Sequence, residues 1–231
     1  MIKNAQFSAR SRFLSLLGPI ALGLLLSCSA DALTVGERHL VTHEASAKLR
    51  DSRHSDQLRI TIWYPAADTY HETPLTIGPE GHPFFLAGMA AQNAPFADEK
   101  GRSVVLLSHG FGGTARVMAW FGTALARAGY VVIAVDHPGN NGLDPMTVAG
   151  AKLFWERPGD LEAALKRVEA DEEISGHIDV SKIGIAGFSA GGFAALAAAG
   201  GRVNVARLLA FCKTNPNDGV CKPQRESNNT Q

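Results

Sequence analysis

Three short, continuous apolar runs stand out in the pattern of hydrophobic and polar positions along the chain. They lie at residues 104–107, 131–135 and 183–186. Unbroken apolar runs of this length are typical of strands buried on both faces of a parallel sheet. Earlier in the chain, residues 58–64 alternate apolar with polar or amphipathic side chains up to Pro65, which predicts an antiparallel strand near a sheet edge. A weaker strand is expected at residues 37–42.

Helical periodicity fills the intervals between the apolar runs. After the first run, Thr114 is the expected N-cap of a helix that Gly129 ends. The predicted inward stripe of this helix comprises Val117, Trp120, Phe121, Ala124, Leu125 and Ala128. A second helix is predicted at about residues 160–172, with Asp160 as its N-cap. Its inward residues are expected to be Leu161, Ala164, Leu165 and Val168.

The alternation of strands and helices continues after the third apolar run. Residues 190–199 are rich in Ala and Gly and predict a helix packed closely on the sheet, followed by another helix at residues 203–211. This order predicts one α/β domain at residues 33–221, with a mostly parallel sheet and helices on both faces. Residues 66–102 show no sustained period and are dotted with Pro, Gly and His, so we expect a long excursion there rather than core elements.

Residues 1–32 have the pattern of an export signal. Basic residues precede an apolar run at residues 13–26, and small residues follow it. A run of about 14 residues is too short for a helix to cross roughly 30 Å of hydrocarbon, so no membrane span is expected. Two cleavage sites fit, one after Ala32 and one at a lipobox-like sequence that would leave a lipid anchor on Cys28. Both predict a periplasmic or secreted protein, and the second predicts an outer-membrane lipoprotein.

Charge and cysteine content narrow the class of partner. The 22 Lys and Arg residues equal the 22 Asp and Glu residues, so nothing favours nucleic acid, and a small neutral ligand fits better. No ligand spacing indicates a metal or an organic cofactor. Export permits disulfides, and Cys212 and Cys221 flank the turn-rich residues 215–219, so we expect them to pair. Residues 222–231 lack periodicity and are expected to be a disordered tail.

The strongest chemical motif is G-x-S-x-G at residues 187–191, with Ser189 at its centre. It directly follows the third apolar run and precedes the Ala-rich helix. A serine at the tip of such a strand–turn–helix unit is a nucleophile in a strained turn. The two glycines are required because the strand and the helix approach too closely for a Cβ atom. We therefore predict Ser189 as the catalytic nucleophile.

A second glycine-rich turn, Ser-His-Gly-Phe-Gly-Gly at residues 108–113, follows the first apolar run. Its glycines allow backbone amides to point inward. Fixed N–H donors at a developing oxyanion can be worth about 3–4 kcal/mol each. We predict the N–H groups of Phe111 and Ala190 as the oxyanion hole, and His109 as a structural residue of this loop.

These motifs resemble the α/β-hydrolase superfamily, and within it the predicted dienelactone hydrolases and the platelet-activating-factor acetylhydrolase-like serine esterases. The resemblance rests on residues 62–65, 107–113, 136–140 and 187–192. It implies an α/β-hydrolase fold and carboxylic-ester hydrolysis through an acyl-serine, on short-chain ester or lipid-acetyl ester substrates. True dienelactone hydrolases use a Cys nucleophile, so Ser189 favours ester hydrolysis over that family's namesake reaction.

The resemblance fails at the catalytic base. In this fold the triad runs Ser, then Asp or Glu, then His, yet no His follows Ser189. The sequence therefore predicts a C-terminally truncated hydrolase with an unpaired last strand. His137 is the nearest substitute base, although His137 is more simply expected to shape the pocket floor and Asp136 to fix a loop. The alternative function is a catalytically inactive remnant or binding module that lacks the triad Asp and His.

Overall fold

Seven strands form one mixed sheet in the described part of the chain. The computed structural model describes residues 33–221, so the predicted signal peptide at residues 1–32, including Cys28, and the predicted tail at residues 222–231 lie outside the described residues. The strands are β1 Val35–His43, β2 Gln57–Pro65, β3 Thr73–Ile77, β4 Phe85–Gln92, β5 Arg102–Ser108, β6 Val131–Asp136 and β7 Ile178–Gly187. Their order across the sheet is β3-β4-β1-β2-β6-β5-β7.

Parallel pairing is concentrated in the half of the sheet that carries the predicted site. Strand β5 pairs in parallel with both β6 and β7, whereas β2 pairs antiparallel with β1 and β6. The carboxyl ends of β5, β6 and β7 therefore meet at one end of the sheet, where open α/β proteins usually bind their ligands. The predicted α/β fold is confirmed; in the other half of the sheet β1–β2, β2–β6 and β3–β4 are antiparallel and β1–β4 is parallel.

Helices cover both faces of this sheet. They are α1 Ala47–Arg50, α2 Ala119–Arg127, α3 Val148–Lys152, α4 Arg157–Glu169, α5 Glu172–Ser175, α6 Ala190–Ala198 and α7 Val205–Thr214. Successive side chains of a strand face opposite sides of a sheet. Accordingly, Leu106 packs in the core beneath α4, and its neighbour Leu107 packs in the core beneath α2. The apolar runs of β5 and β6 are thus buried on both faces, as predicted.

The predicted helix after β5 forms, but its inward face is only partly the predicted one. Phe121 and Leu125 of the predicted stripe pack against the core. Thr114 Oγ1 accepts a hydrogen bond from the N–H of Val117 at the start of a 3₁₀ turn that leads into α2, and Gly129 ends the element with a φ of +97°. Trp120 of the predicted inward stripe is 60 % exposed. A Cβ atom on Gly122 would lie 2.2 Å from the ring of Trp63. The side of α2 with small residues faces the sheet because only that side lets the helix approach the indole.

Helix α4 begins three residues before its predicted N-cap. Leu161, Ala164 and Val168 are buried as predicted. Asp160, however, lies within the first turn and is fully buried. Its carboxylate accepts two hydrogen bonds from the Arg50 guanidinium, at 2.8 and 2.7 Å. The N-cap prediction is therefore wrong, because the Asp160 carboxylate binds Arg50 instead of the N–H groups at the start of the helix.

Two predictions about the first half of the sheet are also wrong. Strand β2 does not lie near an edge, since β1 and β6 pair with it on either side. Residues 66–102 are not a simple excursion, because they contain the antiparallel β3–β4 hairpin. Leu75 and Ala90 of this hairpin are buried beneath α2. A register shift after Leu75 breaks the two-residue period by which the hairpin could have been recognised in the sequence.

The third apolar run lies in β7, which is an edge strand. Within residues 33–221, β7 pairs with β5 and with no other strand, and Ile183 is 38 % exposed. Burial on both faces is therefore a wrong prediction for this run, while the expected unpaired last strand is observed within the described residues. Leu196 of α6 and Leu209 of α7 are also exposed. Cys212 and Cys221 form a disulfide at the end of α7.

Candidate active site

Ser189 occupies the turn between the end of β7 and the start of α6. Its backbone has a φ of 52° and a ψ of −114°. A positive φ is costly for a residue with a Cβ atom, and such strain is a property of the serine in a nucleophile elbow. The Ser189 side chain is exposed. The geometry therefore presents its hydroxyl to solvent at the carboxyl end of the parallel strands.

Close backbone contacts hold this turn in place. A Cβ atom on Gly187 would lie 2.2 Å from the carbonyl oxygen of Gly191. A Cβ atom on Gly191 would lie 2.0 Å from the carbonyl oxygen of Ser108. Both distances are far below van der Waals contact, so neither position accepts a side chain without a backbone shift. The two glycines of the motif are thus required on steric grounds, as predicted.

The glycine-rich loop after β5 lies against the elbow. Phe188 donates its N–H to the carbonyl oxygen of Ser108 over 3.2 Å, and Gly112 donates its N–H to Asn140 Oδ1 over 2.7 Å. By contrast, the N–H groups of Phe111 and Ala190 donate to no backbone or side-chain acceptor within residues 33–221. Unused N–H donors in the elbow and in the loop packed against it are what an oxyanion hole requires. The assignment of Phe111 and Ala190 remains a prediction.

The substitute base considered for Ser189 is occupied elsewhere. His137 is buried, and its Nδ1 donates to Asp160 Oδ2 over 2.8 Å. Its Nε2 accepts a hydrogen bond from the Ser108 hydroxyl group over 2.8 Å. Within the described residues, Ser189 Oγ has no side-chain hydrogen-bond partner. His137 therefore belongs to the core below the elbow, and the residues described leave the serine without a base.

Asp136 and His109 fix loops, as expected. Asp136 Oδ1 accepts the N–H of Ala115 over 2.8 Å, and burial raises the pKa of this carboxyl group. His109 Nε2 accepts the N–H of His137, so its Nδ1 carries the proton and donates to the carbonyl oxygen of Gly110. Burial, aided by the nearby His137, lowers the pKa of His109 to about 3. His109 is therefore a neutral structural residue of the glycine-rich loop.

Sequence reasoning missed the buried polar chain that runs from Ser108 through His137 to Asp160 and Arg50. Each of these four side chains is at most 2 % exposed. The positions of Ser108 and His137 at the carboxyl ends of adjacent parallel strands could have indicated that they meet. Nothing in the sequence indicates Arg50, which lies 110 positions before its partner Asp160.

The two buried histidines predict a loss of stability in mild acid. Burial lowers the pKa of His137 from 6.5 to about 4, and that of His109 from 6.5 to about 3. Between pH 6.5 and 4 the unfolded chain therefore binds protons that the folded chain excludes, so the free energy of unfolding falls as the pH falls. The raised pKa of Asp136 acts in the opposite direction. Two excluded protons give a slope of up to about 2.7 kcal/mol per pH unit, which Asp136 reduces.

Urea denaturation at pH 7.5, 6.5, 5.5 and 4.5 checks this expectation. Glu37 has its pKa lowered from 4.5 to about 2, and Asp160 has its pKa lowered from 3.8. Both carboxyl groups contribute their full stability above their unfolded pKa and lose it as the pH falls through their folded pKa, so at pH 5.5 and above the slope comes from the histidines, opposed by Asp136. An unfolding free energy that stays constant from pH 6.5 to 4.5 would show that His109 and His137 titrate normally.

An apolar hollow lies directly beside the elbow. It has a volume of about 190 Å³ and is lined by Met118, Trp120, Phe121, Ala186, Gly187 and Phe188. Within residues 33–221, no cluster of three or more His, Cys, Asp or Glu side chains has a metal-binding arrangement. In the same residues, no helix combines the length and the apolar character needed to cross a bilayer.

Known proteins are similar to the part of the chain that contains the glycine-rich loop and the elbow. A family model described as serine aminopeptidase, S33 matches residues 99–214. Among solved structures, the ferulic acid esterase from Streptomyces cinnamoneus is similar over 75 % of this chain, with 27 % sequence identity and a TM-score of 0.60. A hypothetical protein from Pseudomonas aeruginosa is similar over 71 % of this chain and 39 % of its own, with 14 % identity and a TM-score of 0.41. A search of curated proteins gives no match.

The matches cover part of this chain and part of the esterase. This chain spans 57 % of the length of the ferulic acid esterase. The family match begins just before β5 and ends with α7, so it contains both the glycine-rich loop and the Ser189 elbow. Because the matched segment covers half of the sequence, the chain belongs to the serine aminopeptidase S33 family of α/β-hydrolases.

Proposed function

We propose that this chain carries the nucleophile and the oxyanion hole of an exported serine hydrolase that cleaves carboxylic esters. Ser189 Oγ attacks the ester carbonyl carbon, the alcohol leaves, and an acyl-serine remains, which water then hydrolyses. The observation that carries the proposal is the positive φ of Ser189 at the end of a parallel strand. The unused N–H groups of Phe111 and Ala190 support it, because a tetrahedral intermediate places negative charge where such donors can stabilise it.

The catalytic base is the part that the described residues do not supply. We propose that the triad Asp and His come from strands that pair with the open edge of β7. The partly exposed Ile183 on β7 supports this, since its exposure would fall if another strand covered that edge. DNA sequencing downstream of the Gln231 codon tests it. Codons for strands that bear an Asp and then a His support the proposal, and unrelated sequence contradicts it.

The apolar hollow beside the elbow suggests the acyl part of the substrate. Its volume of about 190 Å³ suits a short or flat acyl group, which agrees with short-chain or lipid-acetyl ester substrates and with an aromatic acid such as the one in the esterase's name. The resemblance to dienelactone hydrolase-like and acetylhydrolase-like esterases favours the short chain. Periplasmic or secreted location is proposed from residues 1–32, and the disulfide between Cys212 and Cys221 is compatible with it.

Hydrolysis of a substrate panel tests ester specificity. The panel contains nitrophenyl acetate, butyrate, octanoate and decanoate, together with aminoacyl nitroanilides, because the family description names an aminopeptidase. We expect the highest kcat/KM on acetate or butyrate and no turnover of the nitroanilides. Preferential cleavage of the nitroanilides would replace ester hydrolysis by peptide hydrolysis as the function of this site.

A second candidate function is a catalytically inactive remnant or binding module. The observation in its favour is that Ser189 Oγ lacks a histidine partner within residues 33–221. A serine hydroxyl without a base is a poor nucleophile. A protein that binds a slowly hydrolysed ester with measurable affinity, and does not turn over any nitrophenyl ester, would support this second function against the first.

A further inference from the structure

Ser108 touches the elbow with its backbone and the protein core with its side chain. Its carbonyl oxygen accepts the N–H of Phe188 and lies 2.0 Å from the position that a Cβ atom on Gly191 would occupy. Residues on both sides of Ser189 are therefore packed on this one carbonyl group. The position of the Ser108 backbone fixes the spacing between the glycine-rich loop and the elbow.

The Ser108 side chain points into a chain of buried hydrogen bonds with defined directions. Asp160 accepts the Nδ1 proton of His137 over 2.8 Å, so Nε2 of the neutral ring is an acceptor. Ser108 Oγ donates to that Nε2 over 2.8 Å. Arg50 donates two further hydrogen bonds to Asp160 and balances its charge. Removal of any link leaves a buried polar group unpaired, which costs about 1–3 kcal/mol.

A second set of contacts holds the next residue of the same loop. Arg157 Nη1 donates to the carbonyl oxygen of His109 over 2.6 Å, and the backbone N–H of His137 donates to His109 Nε2 over 3.2 Å. Arg157 is almost completely buried. His109 is thus held by Arg157 of α4 on one side and by the N–H of His137, at the end of β6, on the other.

We propose that Ser108, His137 and Asp160 are positioning residues for the proposed ester hydrolysis, and that they hold the Phe111 and Ala190 N–H groups at the spacing an oxyanion needs. This inference rests on the proposed function. The three side chains form a Ser–His–Asp sequence of hydrogen bonds, but their complete burial excludes contact with substrate. They act through the Ser108 carbonyl oxygen, on which the elbow is packed. A displacement of about 1 Å in such a site can cost up to 100-fold in rate.

The test compares Ser108→Ala with Thr123→Val in the full chain. Thr123 also has a buried hydroxyl, which donates to the carbonyl oxygen of Ala119 within α2. Each variant therefore removes one buried hydroxyl, but only Ser108→Ala disturbs the chain below the elbow. Amide hydrogen exchange is measured at the bonded N–H groups of Gly112, Gly113, Phe188 and Gly191, and kcat and KM are measured on nitrophenyl acetate.

We expect Ser108→Ala to raise each of these four exchange rates roughly tenfold. We also expect it to lower kcat roughly tenfold and to leave KM within about twofold of the wild-type value. Thr123→Val is expected to lower the melting temperature similarly and to leave all three quantities near wild type. Unchanged exchange in Ser108→Ala, or an equal rise in Thr123→Val, would overturn the positioning role. Absence of esterase activity in a chain that includes the proposed triad Asp and His would instead count against the proposed function, and the exchange rates would still decide the positioning role.

Nitrogen-15 NMR of the histidine rings provides a measurement that needs no variant. The hydrogen-bond directions require His137 and His109 to carry their protons on Nδ1 at neutral pH. Observation of that tautomer for both rings supports the network even where Ser108→Ala does not fold. A His137 ring protonated on Nε2 would overturn it, because Ser108 Oγ could then not donate to this ring.

Discussion

In a chain that includes the proposed triad Asp and His, Ser189→Ala is expected to reduce kcat/KM for nitrophenyl acetate by roughly 1,000-fold or more. Removal of the nucleophile of a serine hydrolase leaves the contributions of binding and of the oxyanion hole, which are small beside the covalent route. The variant removes one exposed hydroxyl, so we expect its melting temperature to equal or exceed that of the wild type. Release of the strain at a φ of 52° is not expected, since Ala prefers the same negative φ values.

Ser181→Ala is the matched control for this loss. Ser181 is also an exposed serine and lies in β7, the strand that leads into the elbow. Its hydroxyl donates to Asp179 at the opposite end of β7. We expect wild-type kcat/KM from this variant. Esterase activity that survives in Ser189→Ala and falls in Ser181→Ala would place the chemistry away from the elbow.

Gly191→Ala is expected to destabilise the fold by about 3 kcal/mol or more, which exceeds the usual range for an overpacked core. The new Cβ atom would lie 2.0 Å from the carbonyl oxygen of Ser108. No side-chain rotation can relieve a clash between a Cβ atom and a backbone atom, so the helix or the glycine-rich loop must move. The gain from Ala in a helix, about 1 kcal/mol, is too small to offset this. For a domain of this size, we expect the melting temperature to fall by about 6–12 °C.

Gly159→Ala separates the clash from the general effect of adding a methyl group. Gly159 lies in α4, and nothing lies within 4 Å of the Cβ atom it would gain. We expect this variant to be as stable as the wild type or up to about 1 kcal/mol more stable. Equal melting temperatures for Gly191→Ala and Gly159→Ala would show that the close approach of α6 and the glycine-rich loop is absent in solution.

The parts of the site that could be predicted from the sequence are those with a local cause. Ser189 and its glycines are recognised because strand, turn and helix occupy adjacent residues, and because the steric requirement acts within five positions. The loop that contains Phe111 was found for the same reason. The buried strands β5 and β6 were recognised because burial on both faces leaves an unbroken apolar run.

The parts that could not be predicted depend on partners far away in the sequence. Asp160 has the residue type and position of an N-cap, and only the buried guanidinium of Arg50 gives it another role. The inward face of α2 was only partly predicted, because contact with Trp63 favours Gly122 over the larger apolar side chains. Strand β7 has the composition of a central strand but is an edge strand in the described residues. The hydrophobic pattern indicates which side chains a segment can bury, and the elements packed against that segment determine which side chains are buried.

Covalent labelling of Ser189 tests the central claim most directly. A native chain that includes the proposed triad Asp and His is incubated with a fluorophosphonate, digested, and analysed by mass spectrometry, with the heat-denatured protein and Ser189→Ala as controls. We predict a phosphonate adduct on the peptide that contains Ser189 in the native sample and in neither control. A native protein whose Ser189 stays unmodified, or whose adduct lies on another serine, would contradict the assignment of this elbow as the site of an acyl-serine hydrolase.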